Sequence, residues 1–277
     1  MTKKRIFYLE QYFFPEAWNG VEITQKIIDI FVKRGDQVNI LCGSKPYINA
    51  SFKDSHKLTD IDLINIIRLI DLGFSKKKFF RLLNSFLMSI HAFLILILEK
   101  NIDLIVVQTN PPPIVLAASL SAFIKRKPLL IIAMDIYPEV IINSVNIFKN
   151  NFLKNFLKFP FDLSYRSAKK VVSLGPVMTN ILLSKGVKKG NVVEISNWAT
   201  GIKKIKNYED SFLKKDQLIV TYTGNIGIAH EVKTILKVAA RFKKTNINIK
   251  FIFACKGSRF SELNNIVNQL KISSIVE

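Results

Sequence analysis

The sequence predicts an α/β protein in two parts, each built around parallel strands. Short β-branched runs alternate with longer helix-period segments, the signature of βα units. The alternation breaks near residue 200 in a charged, Lys-rich stretch and then resumes. The chain has 277 residues, 49% of them hydrophobic, enough for a sizeable core.

In the first series, strands are expected at Arg5–Leu9, Gln37–Leu41, Leu63–Leu69, Leu104–Gln108, Leu129–Ala133, Lys170–Leu174 and Val192–Ile195. Helices are expected between them at Val21–Lys33, Phe79–Glu99, Ile114–Ile124, Asn151–Ser167 and Val177–Ser184. Together they make one doubly wound domain over residues 1–199. Residues 200–215 lack apolar periodicity and read as a linker. The second series covers 216–277: strand Leu218–Tyr222, helix Glu231–Phe242, strand Ile249–Ala254, helix Ser261–Lys271 and the start of a third strand at Ser274. At roughly 60 residues it sits at the low end for an independent domain and is expected to be incomplete.

Lys and Arg number 41 against 21 Asp and Glu, a net charge of +20 that calls for an anionic partner. The excess is scattered lysine, and neither a helix-turn-helix nor an RNP segment gathers it, so nucleic acid is not the expected partner. Cys42 and Cys255 lie far apart without CxxC spacing or nearby histidines. They give neither a disulfide framework nor a zinc site, which fits a reducing, cytoplasmic setting. The apolar run Ile6–Leu9 is too short for the core of a signal peptide.

Two segments raise the question of a membrane. Leu82–Leu98 is mostly Leu, Ile and Phe, follows Lys76–Lys78, and is interrupted by Asn84, Ser85, Ser89 and His91. It falls short of the roughly 20 apolar residues of a spanning helix. Burial against the sheet is the favoured reading, with a helix lying in the membrane surface as the alternative. Ile147–Lys158 spaces Phe148, Phe152 and Phe156 four apart, with Lys149, Lys154 and Lys158 at other positions. That pattern fits a core-facing helix or a membrane-surface helix equally.

Ligand sites of open α/β sheets form in the loops after the strands' carboxyl ends. The first loop, Gln11–Gly20, carries no GxGxxG, which argues against a dinucleotide dehydrogenase. It leads instead to Asn19-Gly20 at a helix N-terminus, where free N–H groups favour an anion. Gln108–Pro113 ends in three prolines and reads as a stiff wall. Met134–Glu139 places Asp135 and Glu139 at a strand mouth, where carboxylates bind hydroxyls or serve an acid/base step. Tyr222–Glu231 is a Gly-rich strand-to-helix turn suited to a diphosphate.

These segments also carry a family resemblance. Tyr12-Phe-Phe-Pro15-Glu16 with Asn19-Gly20, Asp135-Ile-Tyr-Pro-Glu139, Ile195-Ser-Asn197-Trp198 and Tyr222-Thr-Gly224-Asn225-Ile-Gly227 occur in an order and spacing that resembles family 4 glycosyltransferases of the GT-B fold. The similarity is to the subgroup acting on O-antigen, capsule and colanic-acid units, fucosamine-type transferases among them. It implies a GT-B-like α/β fold of two Rossmann-like domains, and a retaining, metal-independent transfer of a hexose-type sugar without a resident cofactor. The donor would be a UDP- or GDP-linked sugar, and the acceptor a polyprenyl-diphosphate-linked glycan at the inner face of the cytoplasmic membrane, in lipopolysaccharide or capsule assembly.

By the same resemblance, Asp135 and Glu139 are the catalytic carboxylates. Gly20, Asn197, Gly224, Asn225 and Gly227 bind the donor, with His230, Lys256 and Gly257 beside them. Tyr12, Pro15, Glu16 and Asn19 lie on the acceptor side. Asn19 replaces the first of two glycines usual in the family, and Met134 stands where an Arg is common. Family members continue into an E-x7-E segment that contacts the donor ribose and sugar. The chain reaches Glu277 without one, so the alternative is a truncated, non-catalytic homologue that binds membranes or a partner.

Overall fold

In a computed structural model, residues 3–14, 19–45, 61–73, 77–144, 151–198, 217–227, 230–245 and 247–277 are described. The chain divides into two compact units, Met1–Ile202 and Lys203–Glu277. The expected linker falls outside the described residues.

Unit 1 is a doubly wound parallel sheet. Its strands are β1 (Arg5–Leu9), β2 (Gln37–Gly43), β3 (Ile64–Leu69), β4 (Leu104–Gln108), β5 (Leu129–Ile132), β6 (Lys170–Ser173) and β7 (Val192–Glu194), in the order β3-β2-β1-β4-β5-β6-β7. All neighbours run parallel. Central strands such as β1 and β4 are apolar almost throughout because both faces are covered. α1 (Asn19–Lys33) covers one face, its Val21, Ile28 and Val32 packing with Ile6, Tyr8 and Ile40. The other face carries α2 (Lys78–Leu98), α3 (Ile114–Lys125), α5 (Asn151–Ser167) and α6 (Pro176–Ser184) over Phe7, Leu9, Ile105 and Ile131. Right-handed βαβ crossovers dictate this split: the chain steps one way from β1 to β3 and the other way from β4 to β7.

Two features of unit 1 depart from expectation. α4 (Glu139–Ser144) is an extra helix, opening where the Asp135–Glu139 segment ends. Glu139 stands in its first turn, the favourable place for an anion against the helix dipole. The second departure is α2. Burial against the sheet holds for the stripe of Asn84, Met88, Ala92 and Leu96, while Phe79, Phe86, Ile90, Leu94 and Leu98 are exposed. Only 28% of its most apolar stretch is buried.

Unit 2 pairs β8 (Leu218–Asn225) with β9 (Ile249–Lys256) in parallel, with α7 (Val232–Phe242) and α8 (Phe260–Gln269) packed through Leu236, Ala239, Leu263 and Val267. β8 runs three residues beyond its expected end. Gly224 pairs with Cys255 and Asn225 with Lys256, so both lie on the strand and not in the turn. The strand expected from Ser274 appears as a parallel bridge between Phe251 and Val276, with the Phe253 N–H donating to the Glu277 carbonyl at 2.7 Å.

Candidate functional site

In unit 1 the strand order reverses between β1 and β4, and the crevice beyond their carboxyl ends is where doubly wound sheets take ligands. A small cleft lies there, lined by Glu10, Gln11, Tyr12, Gly20, Gln108 and Asn110. Its floor is a buried polar network. Gln108 Nε2 donates to the Tyr8 hydroxyl at 2.9 Å and to Thr24 Oγ1 at 2.6 Å, and the Thr24 hydroxyl donates to Glu10 Oε2 at 2.8 Å. Burial, and secondarily the Glu10 charge, pushes the Tyr8 phenol well above its usual range, so it stays protonated. These bonds satisfy polar groups that are almost wholly buried beneath the cleft.

The loops around the cleft are pinned by polar contacts. Arg68 on β3 donates from NH1 to the Gly43 carbonyl at 3.0 Å and to Cys42 Sγ at 3.2 Å, and from NH2 to the Phe14 carbonyl. That guanidinium ties the chain at Phe14 to the sheet edge. Buried Thr109 accepts at Oγ1 from the N–H groups of Met134 at 3.1 Å and Asp135 at 3.0 Å, which fixes the β5 loop against the β4 loop beside Asn110. Asp135 as a whole residue is exposed, yet the protein around its carboxyl desolvates it and raises its pKa. Tyr137, buried and close to the Asp135 charge, is pushed up to about 12.

Glu139 has a different environment. Its Oε1 accepts from Lys185 Nζ at 2.6 Å, and the same ammonium donates to Asp162 Oδ1 at 2.7 Å. The Lys185 side chain is 5% exposed. Its ammonium also lies 5.9 Å from the Tyr165 ring centroid, and the Tyr165 hydroxyl accepts from the Tyr137 N–H at 3.3 Å. Glu139 is therefore a tethered carboxylate behind the loop, whereas Asp135 stands at the mouth.

In unit 2 the residues after β8 and β9 come together. The Gly227 N–H donates to His230 Nδ1 at 3.0 Å, so this amide is already engaged. The Ile226 N–H donates to the Lys256 carbonyl at 2.7 Å, and the Arg259 N–H to the Ile226 carbonyl at 3.2 Å. Gly257 has φ of +143°, and a Cβ there would overlap the Ile226 carbonyl oxygen, so only glycine lets the two turns meet. Arg259 also reaches the His230 carbonyl through NH1 and grips Glu262 with Nε and NH2, both at 2.7 Å.

Among the expected site residues, Tyr12 and Gly20 line the unit 1 cleft and Asp135 is bound to its rim, while Glu139 is turned to Lys185. Asn197 is exposed beyond β7. Asn19 begins α1, and Pro15 and Glu16 fall outside the described residues. Gly224, Asn225, Gly227, His230, Lys256 and Gly257 sit at the ends of β8 and β9. Sequence reasoning missed Glu10, Gln108, Thr109 and Arg259. Glu10 directly follows β1 and Gln108 ends β4, after apolar runs in both strands, a position that marks them only once the switch point is known.

Among the described residues, no three His, Cys, Asp or Glu side chains gather to hold a metal ion. No family model and no curated protein matches the chain. Solved structures do. HepE (Alr3699) of Anabaena, in complex with UDP and glucose, superposes at TM-score 0.58 with 15% identity, over 99% of this chain and 68% of HepE. The lipopolysaccharide outer core galactosyltransferase WaaB, in its apo form, does so at TM-score 0.56 and 13% identity, over 99% of this chain and 67% of WaaB. The fold is GT-B.

This GT-B chain spans about two thirds of the length of those proteins. Unit 1 is a Rossmann-like domain and unit 2 a smaller α/β unit with a two-stranded sheet. A Listeria monocytogenes structure described as a UDP-N-acetylglucosamine 2-epimerase shares the GT-B fold at TM-score 0.54 and 10% identity, over 100% of this chain and 68% of its own.

Proposed function

We propose that this GT-B chain belongs to a glycosyltransferase that moves a sugar from a UDP- or GDP-linked donor to a polyprenyl-diphosphate-linked glycan, with retention and without a metal. The observation that carries this reading is the set of four loop segments, in glycosyltransferase order, on a chain that superposes on GT-B structures over nearly its whole length. The setting proposed is the cytoplasmic face of the membrane, in lipopolysaccharide or capsule assembly.

The reaction balances simply. The bond from the sugar anomeric carbon to the diphosphate breaks with its electron pair leaving on the nucleoside diphosphate. An acceptor hydroxyl oxygen bonds to that carbon on the same face, and the hydroxyl proton is released. Asp135 takes that proton. A desolvated carboxylate with a raised pKa is a stronger proton acceptor than one in water. Glu139, held by Lys185, positions the segment that carries it. Tyr12, Pro15, Glu16 and Asn19 serve the acceptor. Gly20, Asn197 and the turns of unit 2, with His230 and Lys256, serve the donor, whose growing diphosphate charge is stabilised by backbone N–H groups and lysine.

The test is extension of a polyprenyl-diphosphate-linked monosaccharide in detergent micelles, followed by mass spectrometry across UDP- and GDP-sugars. The expected result is a product one sugar longer from one donor, lost in Asp135→Asn. Donor converted to its 2-epimer with no extended product would assign the chain to the epimerase branch of the fold instead.

A further inference from the structure

α2 is apolar on its exposed side as well as on its buried one. Past its first turn, its polar residues point inward or satisfy backbone groups: Asn84 Nδ2 donates to Asp71 at 2.8 Å, Ser89 donates to the Ser85 carbonyl at 2.7 Å, and His91 Nδ1 accepts from the Ile70 N–H at 2.9 Å. The outward stripe of Phe79, Phe86, Ile90, Leu94 and Leu98 is apolar along its whole length. By length and composition alone, Phe79–Leu98 suffices to cross a membrane, at a mean hydropathy of 1.8. Met88, Ala92 and Leu96 nevertheless belong to the unit 1 core, and the helix joins β3 to β4 of one sheet. A helix tied into that core lies along a surface and does not span.

The stripe continues across its neighbours. α2 packs on α3 and α3 on α5, and the inner sides of all three meet in one core over one face of the sheet. Their outer sides therefore face the same way. α3 adds Leu120, Phe123 and Ile124, and α5 adds Phe152, Phe156, Phe159 and Leu163, all exposed. Contiguous exposed apolar surface on this scale marks an interaction site.

Charge identifies the occupant. α2 and α3 contain no acidic residue, and the one in α5, Asp162, is bonded to Lys185. Lys77, Arg81 and Arg126 are exposed at the helix ends, and Lys154 and Lys158 stand half-buried on α5 beside the phenylalanines. A rim of cations without anions around Phe and Leu fits a surface that is apolar just beneath a negative layer, which is an anionic bilayer. We infer that the outer face of α2, α3 and α5 docks unit 1 in the interface of an anionic phospholipid membrane. Identifying this bilayer as the acceptor's home rests on the transferase reading, but the docking does not.

The experiment is sedimentation of the full chain with sucrose-loaded vesicles of phosphatidylcholine, with and without phosphatidylglycerol, while nucleotide-sugar binding is measured on the same preparations. The expected result is binding to the anionic vesicles that falls with salt. It should drop about tenfold or more in Phe123→Asp/Phe156→Asp with the circular dichroism spectrum unchanged. Lys154→Glu/Lys158→Glu, which leaves the apolar residues in place, is expected to weaken it in the same direction and provides the reading should the first variant not fold. Wild type that stays in the supernatant, or variants that bind undiminished, would overturn the docking. So would self-association abolished by Phe123→Asp/Phe156→Asp without vesicle binding, which would give the face to a second copy of the chain. Wild type that binds a nucleotide sugar but no vesicles counts against the docking alone, and wild type that binds vesicles but no nucleotide sugar counts against the transferase alone.

Discussion

Lys185 Nζ lies 2.6 Å from Glu139 Oε1, and this contact ties the C-cap of α6 to the first turn of α4 across 46 residues of sequence. A lysine at a helix C-terminus and a glutamate at a helix N-terminus each favour the local helix dipole, so the pair is stabilised from both ends. Asp162 completes the arrangement, leaving two carboxylates around one buried ammonium.

Lys185→Met should be strongly destabilising, because it leaves two partly buried carboxylates facing each other. Removing one partner of a buried ion pair costs about 3 kcal/mol or more. Urea denaturation should show the loss. Glu139→Gln, which keeps a hydrogen-bond acceptor for Lys185, should cost less. An unchanged midpoint in Lys185→Met would mean that the ammonium is solvated and holds nothing.

Thr24→Val should act on the floor of the unit 1 cleft. It removes the donor to Glu10 Oε2 and the acceptor for Gln108, both buried, at a cost of about 1 to 3 kcal/mol. Thr24→Ser keeps both bonds and should recover most of the loss. Denaturation of the two variants side by side separates the hydroxyl from the methyl.

Asp135→Asn should stabilise the protein at neutral pH. The folded-state pKa of Asp135 is raised by desolvation, so the fold favours the protonated carboxyl. Relative to the neutral amide, wild type is unpenalised below the unfolded carboxylate pKa and loses stability as pH rises through the folded one. The gap between variant and wild type should therefore open on going from acid to neutral pH and close again on acidification. Under the proposed function the same variant loses transfer, a residue that costs stability and supports activity. A variant less stable than wild type at neutral pH would contradict the environment described for Asp135.

Gly257→Ala should disrupt the end of β9 more than Gly224→Ala disrupts β8. Both glycines have positive φ, +143° and +134°, but only at Gly257 does an added Cβ meet the Ile226 carbonyl, while nothing lies within 4 Å at Gly224. Backbone strain alone is worth about 1 to 3 kcal/mol, so Gly257→Ala carries that cost plus a displaced loop. Hydrogen exchange at the Ile226 and Arg259 amides would register the difference.

The strands of unit 1 were legible because parallel strands covered on both faces are written as β-branched runs, as in Leu104–Gln108. α4 was not, since six residues following a proline offer too little periodicity to distinguish a helix from a turn. Gly224-Asn225 looked like a turn because both residues favour turns, and cross-strand pairing with Cys255 and Lys256 overrode that preference. α2 misled in a subtler way. With apolar residues all round it, the hydrophobic pattern did not say which side was buried, and Met88, Ala92 and Leu96 went inward together with Asn84 and Ser89. The positions of Asp135, Tyr12 and Gly20 at strand mouths followed from the topology, whereas the Gln108 network joins residues 84 and 100 apart, and no local pattern announces it.

The proposed transfer requires this chain to bind a nucleotide sugar. The most direct measurement is isothermal titration of the full chain with a panel of UDP- and GDP-sugars. Saturable binding of one nucleotide class, weakened in Gly257→Ala and unaffected by Phe123→Asp/Phe156→Asp, is the expected result. No heat of binding from any donor in the panel, by a chain whose circular dichroism spectrum shows it folded, would contradict the claim.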